Sequence, residues 1–532
     1  MSEVGIDDIA IHFPKLYLDM KDFAKMRDAD YGKLNKGLGL SAMAIPDVHE
    51  DTATMGANAA TRLIDRNGIK PTQIGRMYLG TESALDGAKP TATYILDMLT
   101  QRYSSRFGED CFRNCDVVDM TFACIGAVDA LHNTLDWVAR GGESEDRIGI
   151  VVFTDQAKYD LESAGEYTQG AGGGALLIRY NPRLLSIPDR WGVSTSPVHD
   201  FFKPRREVSI KSVISHVVQL ARETGASIKE GMVERMIRHL PESTVRRLGI
   251  FSHGTESIHV HRDEPIFDGQ FSNQCYQAAV EEAFRDFRVK AEADGRWNPD
   301  DDTILTEEWA RIIMHLPYAF QAKRMFPAVF AYERRDSSSW AEVESEIGQR
   351  PSIDDFDDSP DGQVEFQKAL DAYRRRISKT AAYREFHAER IEKGQRASSL
   401  IGNQYTGSIF LAMMSTFESD YESDSPLKEI DSASVDTAQV PRPRCSRELS
   451  TIDGARLSPV GICLRGWLAA WQSTRLPTNS CTKEFTMAVF SNHTVSLLWL
   501  TLAKKVFLKA RGPMHGSTES SEYLCESFIE GP

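Results

Sequence analysis

Residues 116–126 read Asp-Val-Val-Asp-Met-Thr-Phe-Ala-Cys-Ile-Gly, and the fold can be argued outward from them. Asp116–Met120 is a short apolar-rich run that predicts a buried strand. Beyond it, Ile125, Val128, Leu131, Leu135 and Val138 recur at spacings of three and four, which marks one face of a helix. Gly141-Gly142 predicts the end of that helix. Cys124 therefore falls in a strand-to-helix turn, at or next to the helix start. Free N–H groups and the positive end of the helix dipole favour a thiolate there, and a thiolate can attack a thioester carbonyl and hold an acyl group. The competing reading is a small buried apolar filler. Cys111, Cys115 and Cys275 lack this placement and read as structural.

The same alternation extends to both sides. Thr52–Arg66 predicts a helix, and Met77–Leu79 a short strand stopping at Gly80. Arg147–Phe153 predicts a buried strand, and Ala175–Ile178 another after a glycine-rich turn. The second half repeats the theme: Leu248–Phe251 and Arg311–Met314 predict short buried strands, and Tyr276, Val280, Ala283, Phe284 and Phe287 mark a helix within 272–290. Strands alternating with helices imply an α/β protein. Residues 207–246 read as an inserted helical stretch and 334–398 as a charged, solvated insertion containing Asp354-Asp355-Phe356-Asp357-Asp358. Residues 426–532 are rich in Ser, Thr and Arg, hold Cys445, Cys463, Cys481 and Cys525, and have poor periodicity; no fold is assigned to them. The expected organisation is an N-terminal half over 1–190, a C-terminal half over 191–425 and an atypical tail over 426–532.

The chain has 532 residues, 41% hydrophobic and 26% charged, with a net charge of −15. Such acidity argues against general nucleic-acid binding, and anionic substrates need a local basic patch. Eight cysteines in this length do not suggest a disulfide scaffold, and no CxxC or HExxH spacing occurs, so no metal site is expected. The N-terminus lacks the basic and apolar regions of a signal peptide, and the longest apolar run, Val495–Leu502, is too short to span a bilayer. The expectation is a cytoplasmic protein with no membrane association.

Two strand ends add candidates. Glu82 follows the Met77–Leu79 strand in Gly80-Thr81-Glu82-Ser83, where a carboxylate among small residues suits a general base. His315 follows Arg311–Met314, and His253 follows Phe251 in a similar position; periodicity does not choose between them. Gly170-Ala171-Gly172-Gly173-Gly174 permits close backbone approach, but neither a P-loop nor a GxGxxG unit is present.

Seven ordered blocks resemble those of the 3-hydroxy-3-methylglutaryl-CoA synthase family. They are Gly80–Ser83; Asp119–Gly126; Asp155–Tyr159 with Gly165–Gly172; Asp200-Phe201-Phe202-Lys203-Pro204; Phe267–Tyr276; His315-Leu316-Pro317-Tyr318; and Gly402–Ser408. The resemblance covers residues 1 to about 420 apart from the two insertions. It implies the thiolase fold, with two similar α/β halves of layered helices and sheets, and a homodimer.

It further implies a ping-pong condensation of acetyl-CoA with acetoacetyl-CoA in the mevalonate route to isoprenoids, with no cofactor beyond these CoA substrates. Cys124 would accept the acetyl group, Glu82 would remove a methyl proton, and His315, favoured by the resemblance over His253, would bind the ketone oxygen. Thr168, Ser272 and Asn403 match substrate-contacting positions, and Lys323 and Arg324 match positions of CoA-binding cations. Two departures stand out. Phe320 occupies a position where the family usually has Lys, and residues 426–532 hold nothing like the family's Gly-Tyr-Gly-Ser-Gly block. The alternatives are a synthase taking acetyl groups from an acyl carrier protein, as in polyketide β-branching, and a non-catalytic thiolase-fold scaffold.

Overall fold

The computed structural model describes residues 4–422, except 142–146, 190, 226–230, 232–234, 236–256, 262, 296–297, 299–303, 308 and 339. The first strands are β1 (Val4–His12), β2 (Leu16–Asp19), β3 (Ala42–Ile45), β4 (Ile74–Gly80), β5 (Asp116–Met120), β6 (Ile148–Ala157), β7 (Gly170–Tyr180) and β8 (Leu185–Ser186). They are followed by β9 (Phe201–Phe202), β10 (Arg205–Ser209), β11 (Ser257–His261) and β12 (Ile266–Phe267). The early helices are α1 (Met20–Met26), α2 (Thr52–Asn67), α3 (Thr91–Phe107) and α4 (Gly126–Ala139).

Six strands form one mixed sheet in the order β5-β4-β6-β7-β1-β8. β4 runs parallel to β5 and β6, while β7 runs antiparallel to β6 and β1. Parallel neighbours need crossovers, which α3 and α4 supply. The sheet is covered on both faces, so its strands are continuously apolar instead of alternating. Met77, Leu79, Ile150, Val152 and Leu177 pack with residues of α2 and α3. Tyr78, Val151, Phe153, Leu176 and Ile178 pack with Ala127, Ala130, Leu131, Leu135 and Val138 of α4. The predicted strands over 77–79, 116–120 and 147–153, and the helices beginning at Thr52 and near Ile125, are thus observed; β5 is not the buried strand expected, since it lies at the sheet edge with Asp116 exposed and the rest half-buried.

One expectation fails in an informative way. The glycine-rich segment before Ala175 is not a turn; it is the first part of β7, with Gly170–Gly174 laddered against Ala157–Phe153. Close packing explains the composition. A Cβ at Gly174 would lie 2.1 Å from Phe153 Cζ, and one at Gly170 would lie 2.5 Å from the Ile401 carbonyl oxygen. The glycines let the 401–404 backbone approach the strand.

The second half is mostly helical among the described residues, with β9 paired to β12 and β10 to β11. Helix α5 (Ile210–Glu223) lies in the stretch expected as an insertion, and α6 (Gly269–Ala293) contains the predicted 272–290 helix. Arg311–Met314 is not a strand: Ile312, Ile313 and Met314 are buried, but Ile312 N–H donates to the Arg390 carbonyl instead of joining a ladder. Apolar periodicity reported their burial correctly and could not report the missing partner. The charged 334–398 stretch is more than a solvated surface, because Leu370, Tyr373, Ile377, Tyr383 and Phe386 turn one side of its helices into the core. The predicted strand 248–251, His253 and the tail 426–532 lie outside the described residues.

Gly80 ends β4 against the start of α4, where a Cβ would lie 2.2 Å from Ala127 N and 2.3 Å from its Cα. Neither is the far end of a flexible side chain, so the helix itself must move. Gly80→Ala is expected to destabilise the protein by about 1–3 kcal/mol. Scanning calorimetry checks this, and an unchanged unfolding temperature contradicts the packing described.

Candidate active site

The site forms at the ends of adjacent strands, where open α/β sheets place their ligands. Gly80 of β4 lies opposite both Met120 of β5 and Phe153 of β6. Residues just beyond these three positions must therefore converge, and they are Glu82, Cys124 and Asp155. Thr81 N–H donates to the Met120 carbonyl, which holds the first two loops together. Asp119 fixes the base of the Cys124 turn by accepting from Thr91 N and Ala92 N at the start of α3.

Cys124 sits two residues before α4, as its place in the sequence indicates, and is half-buried. Its φ is +62°, in the left-handed region that non-glycine residues seldom adopt. Ile125 N–H and Gly126 N–H both donate to the Phe122 carbonyl, closing the turn. Cys124 N–H donates directly to Glu82 Oε1. The thiol's pKa is raised well above its ordinary value, first by burial and then by Glu82, with Asp155 adding to the effect. The expected preference for thiolate at a helix start is therefore overruled: desolvation and two carboxylates outweigh the helix end. Glu82 is pushed up to about 7, chiefly by burial and then by Asp155.

Asp155 is fully buried. Its Oδ1 accepts from Glu82 N at 2.7 Å, Thr81 Oγ1 at 3.0 Å and Ser83 Oγ at 3.1 Å. Its Oδ2 accepts from Thr406 Oγ1 at 2.5 Å and Thr406 N at 3.1 Å. One carboxylate thus joins the Glu82 loop to the second half. Lys203, between β9 and β10, donates from Nζ to the Glu82 carbonyl at 3.0 Å and stands 4.9 Å over the Tyr405 ring. Cys124, Phe201 and Phe267 all pack against a small buried cluster of Ala157, Tyr159 and Tyr405.

His315 is buried, and neither ring nitrogen has a hydrogen-bond partner among the described residues. Burial depresses its pKa to about 3, so the imidazole is neutral at ordinary pH. Tyr276 Oη donates to the His315 carbonyl at 2.9 Å, and the two rings meet edge to face at 5.8 Å. The Tyr276 pKa is raised first by burial, and Cys124 adds to the effect.

The expected binding residues divide into two groups. Thr168 and Asn403 come together: Asn403 N donates to the Thr168 carbonyl at 2.9 Å, and Asn403 Oδ1 accepts from Tyr405 N at 2.8 Å and Ser408 Oγ at 3.0 Å. Asn403 Nδ2 also reaches Tyr159 Oη at 3.5 Å. The others stand further out. Ser272, at the start of α6, donates to Asp200 Oδ2 at 2.9 Å. Lys323 and Arg324 are exposed; Lys323 Nζ lies 5.2 Å over the Phe320 ring, and Arg324 donates to the Gly37 carbonyl at 2.7 Å. Asp155, Lys203, Tyr159, Tyr276 and Tyr405 were not singled out from the sequence, although each lies within one of the seven blocks. No group of three or more His, Cys, Asp or Glu side chains among the described residues could hold a metal ion.

Family models for the N-terminal and C-terminal parts of hydroxymethylglutaryl-coenzyme A synthase match residues 1–182 and 259–431. The chain belongs to the hydroxymethylglutaryl-CoA synthase family. It is 31% identical to the hydroxymethylglutaryl-CoA synthase of Haloferax volcanii over 419 residues, covering 79% of this chain and 77% of that protein. It is 32% identical to the Enterococcus faecalis enzyme over 202 residues, 38% of this chain and 49% of that one. The structure of MvaS in complex with 3-hydroxy-3-methylglutaryl coenzyme A superposes with a TM-score of 0.62 at 24% identity, over 90% of this chain and 93% of that one. The curacin-pathway HMG synthase in complex with its acetyl donor carrier protein gives 0.58 at 15% identity over 94% of each chain. The architecture is thus the thiolase-like fold of HMG-CoA synthases, and the chain is an acyl-CoA condensing enzyme of the acyltransferase type.

If Glu82 acts as a base, its carboxyl, pushed up to about 7, is half ionised at that pH and competent above it. The condensation step, measured in single turnover, is expected to rise with pH through about 7 and then level off. His315, neutral down to about pH 3, adds no limb in that range. A condensation rate flat between pH 5.5 and 8.5 contradicts Glu82 as the base.

Proposed function

We propose that Cys124 Sγ accepts the acetyl group, that Glu82 is the general base, and that His315 binds the ketone oxygen of the second substrate. The reaction is the condensation of acetyl-CoA with acetoacetyl-CoA to 3-hydroxy-3-methylglutaryl-CoA, which in this family typically serves the mevalonate pathway. The observation that carries the assignment of roles is the contact between Glu82 Oε1 and Cys124 N–H. It sets the carboxylate beside the position where a Cys124-bound acetyl group would sit.

In the first half-reaction, Cys124 Sγ attacks the acetyl-CoA carbonyl. The CoA sulfur leaves and, with the proton lost from the cysteine, departs as the free thiol. In the second, Glu82 removes a proton from the acetyl methyl group. The resulting carbanion equivalent attacks the ketone carbon of acetoacetyl-CoA. A neutral His315 has one N–H to donate to that oxygen as charge develops on it. The alkoxide takes up one proton, balancing the one Glu82 removed. Water then hydrolyses the cysteine thioester and frees the product. Phe201, Phe267, Tyr159 and Tyr405 keep bulk water from the carbanion until condensation is complete. Thr168 and Asn403 support the acyl end, Ser272 acts through Asp200, and Lys323 and Arg324 serve the phosphates of CoA.

Lys323 favours free CoA thioesters over a carrier-borne acetyl donor. Its ammonium lies over Phe320 and so supplies a cation next to the position where the family usually carries lysine. An acyl carrier protein remains the second donor to test. We also propose a homodimer, because β5 is an edge strand of the sheet and the exposed Phe122 follows it. The reading is of a cytoplasmic enzyme; no helix among the described residues is long and apolar enough to cross a membrane.

Incubation with labelled acetyl-CoA followed by peptide mass analysis is expected to place the label on Cys124. Glu82→Ala should keep that acetylation while condensation falls by roughly 10²- to 10⁴-fold, the usual contribution of a general base. Equal loss of both steps contradicts the role of Glu82. Absence of label from both CoA and carrier-bound donors contradicts the whole assignment.

A further inference from the structure

The environment of Cys124 is chemically awkward for a nucleophile. Titratable groups from six places are electrostatically linked to it: Glu82 beyond β4, Asp155 at the end of β6, Tyr159 shortly after it, Lys203 between β9 and β10, Tyr276 on α6, and Tyr405. Two of these are carboxylates. The three tyrosines are neutral, since burial raises each phenol's pKa. Against the two carboxylates, the positive charge of Lys203 acts on the thiol and lowers its pKa.

Lys203 is also held in place from several directions. Its chain neighbours Phe201 and Phe202 form β9, laddered to Phe267 and Ile266 of β12. Asp200, at the start of this segment, accepts from Ser272 Oγ on α6. Phe201 packs edge-on to Tyr405, with ring centroids 5.8 Å apart. Pro204 follows at once and restricts the backbone conformation of Lys203. The side chain then reaches across to the Glu82 carbonyl at 3.0 Å, passing over the Tyr405 ring. Lysine is a costly side chain to immobilise. Here its ordering is shared among a strand pair, an aromatic contact and a hydrogen bond.

We propose that Lys203 is a positioning residue for acetyl transfer to Cys124, its ammonium offsetting the carboxylates of Glu82 and Asp155 so that Cys124 Sγ can carry negative charge. The proposal rests on Cys124 being the nucleophile. It adds that the charge balance of the site is supplied by the second half of the chain, through the ribbon formed by β9 and β12. The direction of the electrostatic effect agrees: Lys203 lowers the pKa of Cys124, of Glu82 and of Asp155 against the burial that raises all three.

The test uses the full chain with Lys203→Met, Lys203→Gln and Lys203→Arg. Cys124 alkylation by iodoacetamide is followed as a function of pH, read on the Cys124 peptide by mass spectrometry. This reports thiolate formation without requiring acetyl transfer. The Met and Gln variants are expected to move the midpoint upward by about one pH unit, a tenfold loss of thiolate at a given pH. Gln can keep a donor for the Glu82 carbonyl, so a shift in that variant isolates the charge from the hydrogen bond. Arg should retain the wild-type midpoint. An unchanged midpoint in both Met and Gln overturns the proposal. So does an equal shift in Arg, which would report distortion of the loop. A loss confined to the KM for acetyl-CoA, with the midpoint unmoved, overturns it in favour of a direct contact to substrate. If alkylation shifts as expected while no acetyl label reaches Cys124, the acetyl-acceptor role fails and the charge-balancing role stands.

Discussion

Five donors converge on the Asp155 carboxylate: the side chains of Thr81, Ser83 and Thr406, and the N–H groups of Glu82 and Thr406. A buried carboxylate is tolerated when its oxygens are saturated in this way, because each bond to an ionised acceptor is stronger than a neutral one. The consequences reach through the site. The loop carrying Glu82 is fixed to β6, and the turn at Thr406 is fixed to the same point. Thr406 Oγ1 also lies 3.0 Å from the Gly80 carbonyl oxygen, so the end of β4 and the 403–408 segment meet directly at this junction as well as through Asp155. Asp155 thus sets the geometry, and by adding to the charge around Glu82 and Cys124 it also helps set the proton affinities.

Burial is the second organising constraint. It raises the pKa of the Cys124 thiol and of Glu82, and lowers that of His315. These shifts serve different ends. A carboxylate near 7 is balanced between holding a proton and taking one. An imidazole kept neutral can donate a hydrogen bond without adding a charge to the pocket. The thiol is the exception, since burial and its neighbours work against its ionisation. That conflict is why a cation brought in from the second half matters, and why a site assembled from both halves differs from a reactive cysteine on a helix alone.

Backbone conformation carries part of the same design. Cys124 adopts a positive φ, which costs a non-glycine residue of order 1–3 kcal/mol. The strain persists because Glu82 accepts the Cys124 N–H, the Phe122 carbonyl closes the turn, and Gly80 and Gly126 allow the strands and helix to approach closely. The glycines of β7 serve the same purpose on the other side, admitting the 401–404 segment.

The sequence by itself determined the strand-to-helix unit around Cys124, the strand leading to Glu82, and the helix within 272–290, because burial against neighbours imposes a periodicity that can be read directly. The ordered blocks added His315 and the family. Four things needed the tertiary structure. The glycine-rich run is a strand because its partner is Phe153. Arg311–Met314 is buried without a ladder because its hydrogen bond goes to Arg390. Asp155 and Lys203 matter because they meet Glu82, from positions 73 and 121 residues away in the chain. The direction in which the Cys124 thiol shifts follows from those same contacts and not from the helix start. Local pattern encodes which face of an element is buried; it carries no record of which charges the fold brings to that face.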